Sequence, residues 1–181
     1  LEIAKEKIAD HGVFLHGSFF DIPMEENFFD CTVSLHTIYH IDKDKQEDAV
    51  RKLINVTKPG QPVIIVYSNP STPIISFVTF PFRVLRRIKI ILKRLSGKVK
   101  PGEEVKLYFK PHPIKWWKRF KDVSDVKIMP WRTFGSHEQK WLIPNNKFGK
   151  KIFDALLVLE ERFPKFFVKH FKYPMIILTK N

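Results

Sequence analysis

Two uninterrupted apolar runs constrain this chain more than any other feature. Phe28–Leu35 (FFDCTVSL) is apolar or small apart from Asp30, and Pro62–Tyr67 (PVIIVY) is apolar throughout. Strands with two apolar faces belong to parallel sheets covered by helices on both sides, so the first run is expected to be an interior parallel strand. Between them, Asp44 followed three residues later by Glu47 predicts a capping box. The helix it opens carries Ala49, Val50, Leu53, Ile54 and Val56 and stops at Lys58-Pro59-Gly60. Strand, helix, turn and strand in that order predict a parallel α/β sheet.

Upstream, Ile3, Ala4, Ile8 and Ala9 recur at helical spacing among charges, predicting a short amphipathic helix over Glu2–Asp10 that Gly12 ends. Val13–Leu15 reads as a brief strand and Gly17–Pro23 as a loop. Past Pro70 the alternation breaks. Phe82–Leu95 puts Val84, Leu85, Ile88, Ile91, Leu92 and Leu95 on one helical face, with Arg83, Arg86, Arg87, Lys93 and Arg94 largely opposite. Gly97–Gly102 reads as a linker and Pro113–Lys121 (PIKWWKRFK) as a short aromatic helix. A strand is predicted over Val126–Phe134, demoted to an edge by Pro130. A helix over Lys147–Phe163 and a last strand over Met175–Thr179 complete the pattern.

Charge divides the chain. The formal charge is +13 over 181 residues, yet residues 1–70 hold 7 basic and 11 acidic side chains, net −4, leaving 25 against 8, net +17, for residues 71–181. Between Pro81 and Lys100 stand eight basic residues and no acidic one. Such a balance attracts polyanions. The single cysteine, Cys31, excludes an internal disulfide framework and a Cys-rich zinc site, and its strand makes it a small core residue. No leader pattern stands near Leu1, and stretches such as Pro73–Phe82 are shorter than the roughly 20 apolar residues a membrane span needs. A cytoplasmic protein with room for peripheral membrane contact is expected.

Gly17–Pro23 (GSFFDIP), Phe28–Ile41 (FFDCTVSLHTIYHI), Ala49–Gly60 (AVRKLINVTKPG) and Pro62–Val66, in that order and spacing, resemble class I S-adenosylmethionine-dependent methyltransferases. The resemblance covers about residues 12–68. It implies a Rossmann-like α/β sheet and methyl transfer from S-adenosylmethionine to a small-molecule or lipid-like acceptor. Residues 1–70 would form the core, 71–122 a basic helical insertion or lid, and 123–181 the strands and helix completing the domain. The seven glycines, at 12, 17, 60, 97, 102, 135 and 149, form no Gly-x-Gly. A domain incomplete at its N-terminus is therefore expected, one that binds the cofactor weakly when alone.

Residue by residue, the resemblance puts Ser18, where the family often has an acid, and Phe19 at the adenine. It puts Ser34, Leu35 and His36 at the methionine part of the cofactor, outside the carboxyl end of a strand. His36, Tyr39 and His40 are the candidate catalytic residues, because removing the nucleophile's proton assists O- or N-methylation; pocket-lining or hydrogen-bonded structural roles are equally open to them. No HExxH and no further cluster accompanies the His36/His40 pair, so no metal is expected. Asp21 and Asp30 read as structural acids.

Three readings stand for Phe82–Lys100: a lid packed on the domain, a helix lying in a membrane interface, or a nucleic-acid contact, the last leaving its apolar stripe without a partner. Trp116, Trp117, Phe120, Phe166, Phe167 and Phe171 among lysines favour the interface, and read equally well as the apolar faces of ordinary helices. The alternative to an enzyme is a non-catalytic basic module docking on a membrane surface or an acidic partner.

Overall fold

The two apolar runs pair in parallel. The structure is a computed structural model and describes residues 2–8, 11–96 and 107–181. Ala9, Asp10, the Gly97–Gly102 linker and the end of the Phe82–Lys100 segment lie outside them. Helix α1 spans Glu2–Ile8, strand β1 Thr32–Leu35, helix α2 Gln46–Val56 and strand β2 Pro62–Val66. They are followed by α3 (Pro73–Leu95), β3 (Ser124–Arg132), α4 (Ser136–Leu142), α5 (Lys147–Arg162), α6 (Pro164–His170) and β4 (Tyr173–Lys180). The sheet order is β1-β2-β4-β3, with β1 parallel to β2 and β4 antiparallel to both β2 and β3.

One face of the sheet carries the core. Val63 and Ile65 of β2 and Ile176 and Leu178 of β4 are fully buried against Ala49, Val50, Leu53 and Ile54 of α2. A 3-10 turn over Ile114–Asp122 closes this layer with Trp116, Trp117 and Phe120. These aromatics, which the sequence leaves open between a membrane interface and the apolar face of an ordinary helix, are core residues: Trp117 and Phe120 have no exposure, and the Trp117 ring sits 4.9 Å from Tyr67. Their lysine neighbours occupy the outward positions of the same turn.

Several expectations change. β1 begins four residues late, after a single parallel bridge between Phe29 and Thr57, and Val33 and Leu35 are each 55% exposed. An apolar run reports hydrophobicity, not coverage; β1 stands at the edge of the described sheet, and Cys31 just before it is exposed. Val13–Leu15 forms no strand, lacking a ladder partner among the described residues, and Val13 is 90% exposed. The capping box is absent because a 3-10 turn at Lys43–Lys45 precedes α2, while the Glu47 carboxylate binds Arg51 at 3.0 Å and also Arg119. α3 starts nine residues before Phe82, with Pro81 inside it. β3 lies at an edge, its register shifting between Pro130 and Arg132. The short helices α4 and α6 were not anticipated.

The chain returning from the basic segment is strapped across the turn that follows β1. Lys110 N–H donates to the Tyr39 carbonyl at 3.1 Å, and His112 N–H to the Tyr67 hydroxyl at 2.9 Å. The buried Gln46 amide reaches the Lys110 carbonyl at 3.0 Å. This strap sets Phe109 5.0 Å from Tyr39, so packing of a distant segment shapes the site.

Candidate active site at the carboxyl end of the first strand

The parallel pairing brings the carboxyl ends of β1 and β2 to one edge, where ligands of open α/β sheets bind. Phe19, Ser34, Leu35 and Leu53 line a cleft of about 240 Å³ there, together with Ile38 and Ile41. Three residues assigned to the cofactor thus meet in one mainly apolar cleft, where Ser34 and Thr37 supply the hydroxyls. Ser18 does not line it; its Oγ accepts the Phe20 N–H at 3.3 Å and shapes the turn. Lys52 of α2 pins that loop, donating to the carbonyls of Phe19, Phe20 and Ile22 at 2.8 to 3.0 Å, with its ammonium 5.3 Å from the Phe19 ring centre. The cleft lies below the ~300 Å³ at which small-molecule sites begin, so it fits one part of a cofactor that joins a nucleoside to an amino acid.

His36 turns the chain out of the sheet. Its N–H still bonds the Val66 carbonyl at 3.1 Å, but its φ of 59° is left-handed, which costs a non-glycine residue of order 1 kcal/mol and is concentrated at functional positions. The turn puts Nδ1 2.9 Å from the Tyr39 hydroxyl. Burial, then the nearby Arg132 and His40 charges, hold the imidazole below its ordinary pKa, so it is neutral near pH 7. Burial, then Tyr173, pushes the Tyr39 hydroxyl up to about 12, keeping it protonated. In the tautomer whose Nδ1–H donates to Tyr39 Oη, Nε2 carries the free lone pair a base needs.

His40 is engaged differently. Its Nδ1–H donates to the Tyr108 carbonyl at 2.7 Å, holding the strap. Two residues that sequence reasoning missed complete the site: the Tyr173 ring centre lies 4.9 Å from that of His36, and the Arg132 guanidinium 5.7 Å from Tyr173. Arg132 is itself fixed by the Phe134 carbonyl at 2.6 Å and Ser136 Oγ at 3.2 Å. Both reach this edge because β4 runs antiparallel to its neighbours, a topology that apolar periodicity does not report.

Residues 1–65 match the family model described as "Methyltransferase domain". No curated protein matches the chain. The fold is similar to a SAM-dependent methyltransferase from Archaeoglobus fulgidus (TM-score 0.52, 13% identity, 97% of this chain and 71% of that one). It is also similar to a SAM-dependent methyltransferase described as a possible histamine N-methyltransferase, from Thermotoga maritima (TM-score 0.51, 13% identity, 99% and 70%). The [4+2]-cyclase SpnF shares the fold as well (TM-score 0.50, 12% identity, 99% and 61%), so the fold alone leaves the reaction open. Residues 1–65 thus match a methyltransferase domain, and the chain as a whole shares the Rossmann-like fold of S-adenosylmethionine-dependent methyltransferases.

Proposed function

We propose that the chain transfers a methyl group from S-adenosylmethionine to an O- or N-nucleophile of a small-molecule or lipid-like acceptor, with His36 as general base. The observation that carries this is the placement of a neutral, Tyr39-bonded imidazole directly after Ser34 and Leu35, which line the cleft at the end of β1. When bound, the cofactor supplies an electrophilic methyl carbon on a sulfonium sulfur. Phe19 offers a flat apolar wall to the adenine, while Ser34 and Leu35 hold the methionine end. His36 Nε2 would take the proton released as the nucleophile's bond to the methyl carbon forms and the methyl–sulfur bond breaks, its electron pair passing to sulfur, and Tyr39 keeps the ring oriented. Tyr173, Phe109 and Arg132 border the acceptor side, an aromatic wall with one cation. Most of the rate then comes from holding nucleophile, methyl and sulfur in line.

The test is incubation of the chain with methyl-tritiated S-adenosylmethionine in excess and with polar and lipid extracts as acceptors. Labelled product that falls about 10²-fold or more in His36→Asn supports the proposal. No product in either extract, or equal product from the variant, overturns it. Asparagine is the chosen replacement because it tolerates the left-handed backbone.

A further inference from the structure

Helix α3 turns its apolar side away from the protein. At about 100° per residue, Ile75, Thr79 and Phe82 fall on one line. Ile75 and Thr79 are buried, and the Phe82 ring stacks on Trp141 of α4 at 5.8 Å. The same line continues as Arg86, Lys89 and Lys93, so past Phe82 the domain-facing side of the helix becomes basic. On the opposite side run Phe77, Phe80, Val84, Ile88, Ile91 and Leu95, every one exposed, Phe77 by 83% and Leu95 by 80%. That line is about 27 Å long. The lid reading needs this side packed on the domain, and among the described residues nothing covers it.

We propose that α3 is an interfacial helix that docks the protein on an anionic phospholipid surface. The Phe77–Leu95 line enters the boundary between headgroups and acyl chains, and Arg83 and Arg87, which helical spacing puts beside that line, meet the headgroup phosphates. Charge decides among occupants: α3 carries six Arg and Lys and no Asp or Glu. A nucleic acid would neutralise the cations and leave the apolar line in water, while a second copy of the helix would cover the line and oppose like charges. An anionic bilayer satisfies both sides at once. Where the apolar line passes α4, Phe80 and Val84 border a cleft of about 550 Å³ that also gathers Arg83, Arg86 and Arg87 beside His137 and Trp141, so the cations stand next to the apolar line there; Glu138, also in its lining, is paired with Lys172 at 2.7 Å. No described helix is long and apolar enough to cross a membrane, so α3 lies in the surface plane.

This inference does not rest on methyl transfer, and its test uses neither cofactor nor acceptor. The chain is sedimented with vesicles of phosphatidylcholine alone and of phosphatidylcholine mixed with phosphatidylglycerol. Binding only to the mixed vesicles is expected, weakened at least about tenfold by Arg83→Glu/Arg86→Glu/Arg87→Glu and, separately, by Phe77→Asp/Ile88→Asp. These side chains are exposed, so circular dichroism of the variants should match the parent. Binding to neither vesicle overturns the proposal, as does equal binding by the charge-reversed variant. Retention of RNA or DNA without retention of anionic vesicles, or a dimer that Phe77→Asp/Ile88→Asp dissolves in the absence of vesicle binding, overturns it too.

Discussion

The Tyr67 hydroxyl donates to Gln46 Oε1 at 2.6 Å, and both residues are fully buried. Gln46 Nε2 in turn donates to the carbonyls of Ile41 and Lys110, each at 3.0 Å, and the Tyr67 oxygen accepts the His112 N–H. One glutamine thus ties β2, the turn after β1 and the strap carrying Phe109 into a single unit. Gln46→Leu removes three bonds and leaves the Ile41 and Lys110 carbonyls without their partner. Each orphaned buried group costs about 1–3 kcal/mol, and a loss of roughly 2–4 kcal/mol in urea denaturation is expected. Hydrogen exchange should show the 108–112 strap opening before the sheet.

The base role predicts a pH profile. His36 is held below its ordinary pKa of 6.5 by burial first and by Arg132 and His40 next. The active form is the neutral one, so kcat/KM should rise with pH through a value below 6.5 and stay flat above it. Tyr39 loses its proton only near about 12, so it adds no falling limb at neutral pH. His36→Asn should abolish the rising limb. A profile unchanged in that variant would remove His36 from the chemistry.

Lys52 predicts a binding effect without a chemical one. Its ammonium holds three carbonyls of the Phe19 loop, and Phe19 walls the cleft. Lys52→Met keeps the stem packed and frees the loop. The cofactor KM should rise about tenfold, the equivalent of one charge-assisted hydrogen bond, with kcat nearly unchanged. Steady-state kinetics against cofactor concentration separates the two.

The core was readable where periodicity and burial report the same thing. α2 buries Ala49, Val50, Leu53 and Ile54, the residues its spacing selects, and Pro130 marks an edge strand because it lacks the ladder N–H. Coverage was not readable: Val33 and Leu35 are as apolar as Ile65, yet Ile65 is fully buried while each of them is 55% exposed. Trp117 and Phe120 left two readings open, since lysine neighbours describe the outer side of a turn and say nothing of its inner side, where both are buried. At the site, Phe19, Ser34, Leu35, His36 and Tyr39 were legible because one βα unit carries most of them. Tyr173, Arg132 and Phe109 arrive through antiparallel pairing and the strap, contacts made across long sequence separation.

Glu138 and Lys172 predict how stability follows pH. Burial pushes the Glu138 carboxyl up, but the Lys172 hydrogen bond at 2.7 Å and a backbone bond outweigh it, and the net shift is downward. A carboxyl lowered in the fold contributes stability above its unfolded pKa of ~4.5, lost as pH falls through the lower folded value. Lys172→Met leaves the carboxylate 8% exposed and unpaired. A cost of roughly 1–3 kcal/mol at pH 7 is expected, below that of a fully buried pair because Lys172 is 30% exposed. Thermal melts at several pH values should show the difference between parent and variant vanishing in acid.

Cofactor affinity follows from cleft size and glycine placement. The cleft of about 240 Å³ accommodates one part of the cofactor, and no Gly-x-Gly in the chain allows a backbone to approach the rest closely. The exposed Ser18 hydroxyl, engaged with Phe20 N–H, offers a weaker acceptor for an adenine amino group than a carboxylate does. Calorimetric titration of the 181-residue chain with S-adenosylmethionine should therefore give a Kd weaker than about 100 μM. Binding at about 1 μM would mean that backbone groups elsewhere take the place of a glycine loop. Ser18→Asp should tighten binding if the adenine lies against Phe19, and leave it unchanged if the ring lies elsewhere.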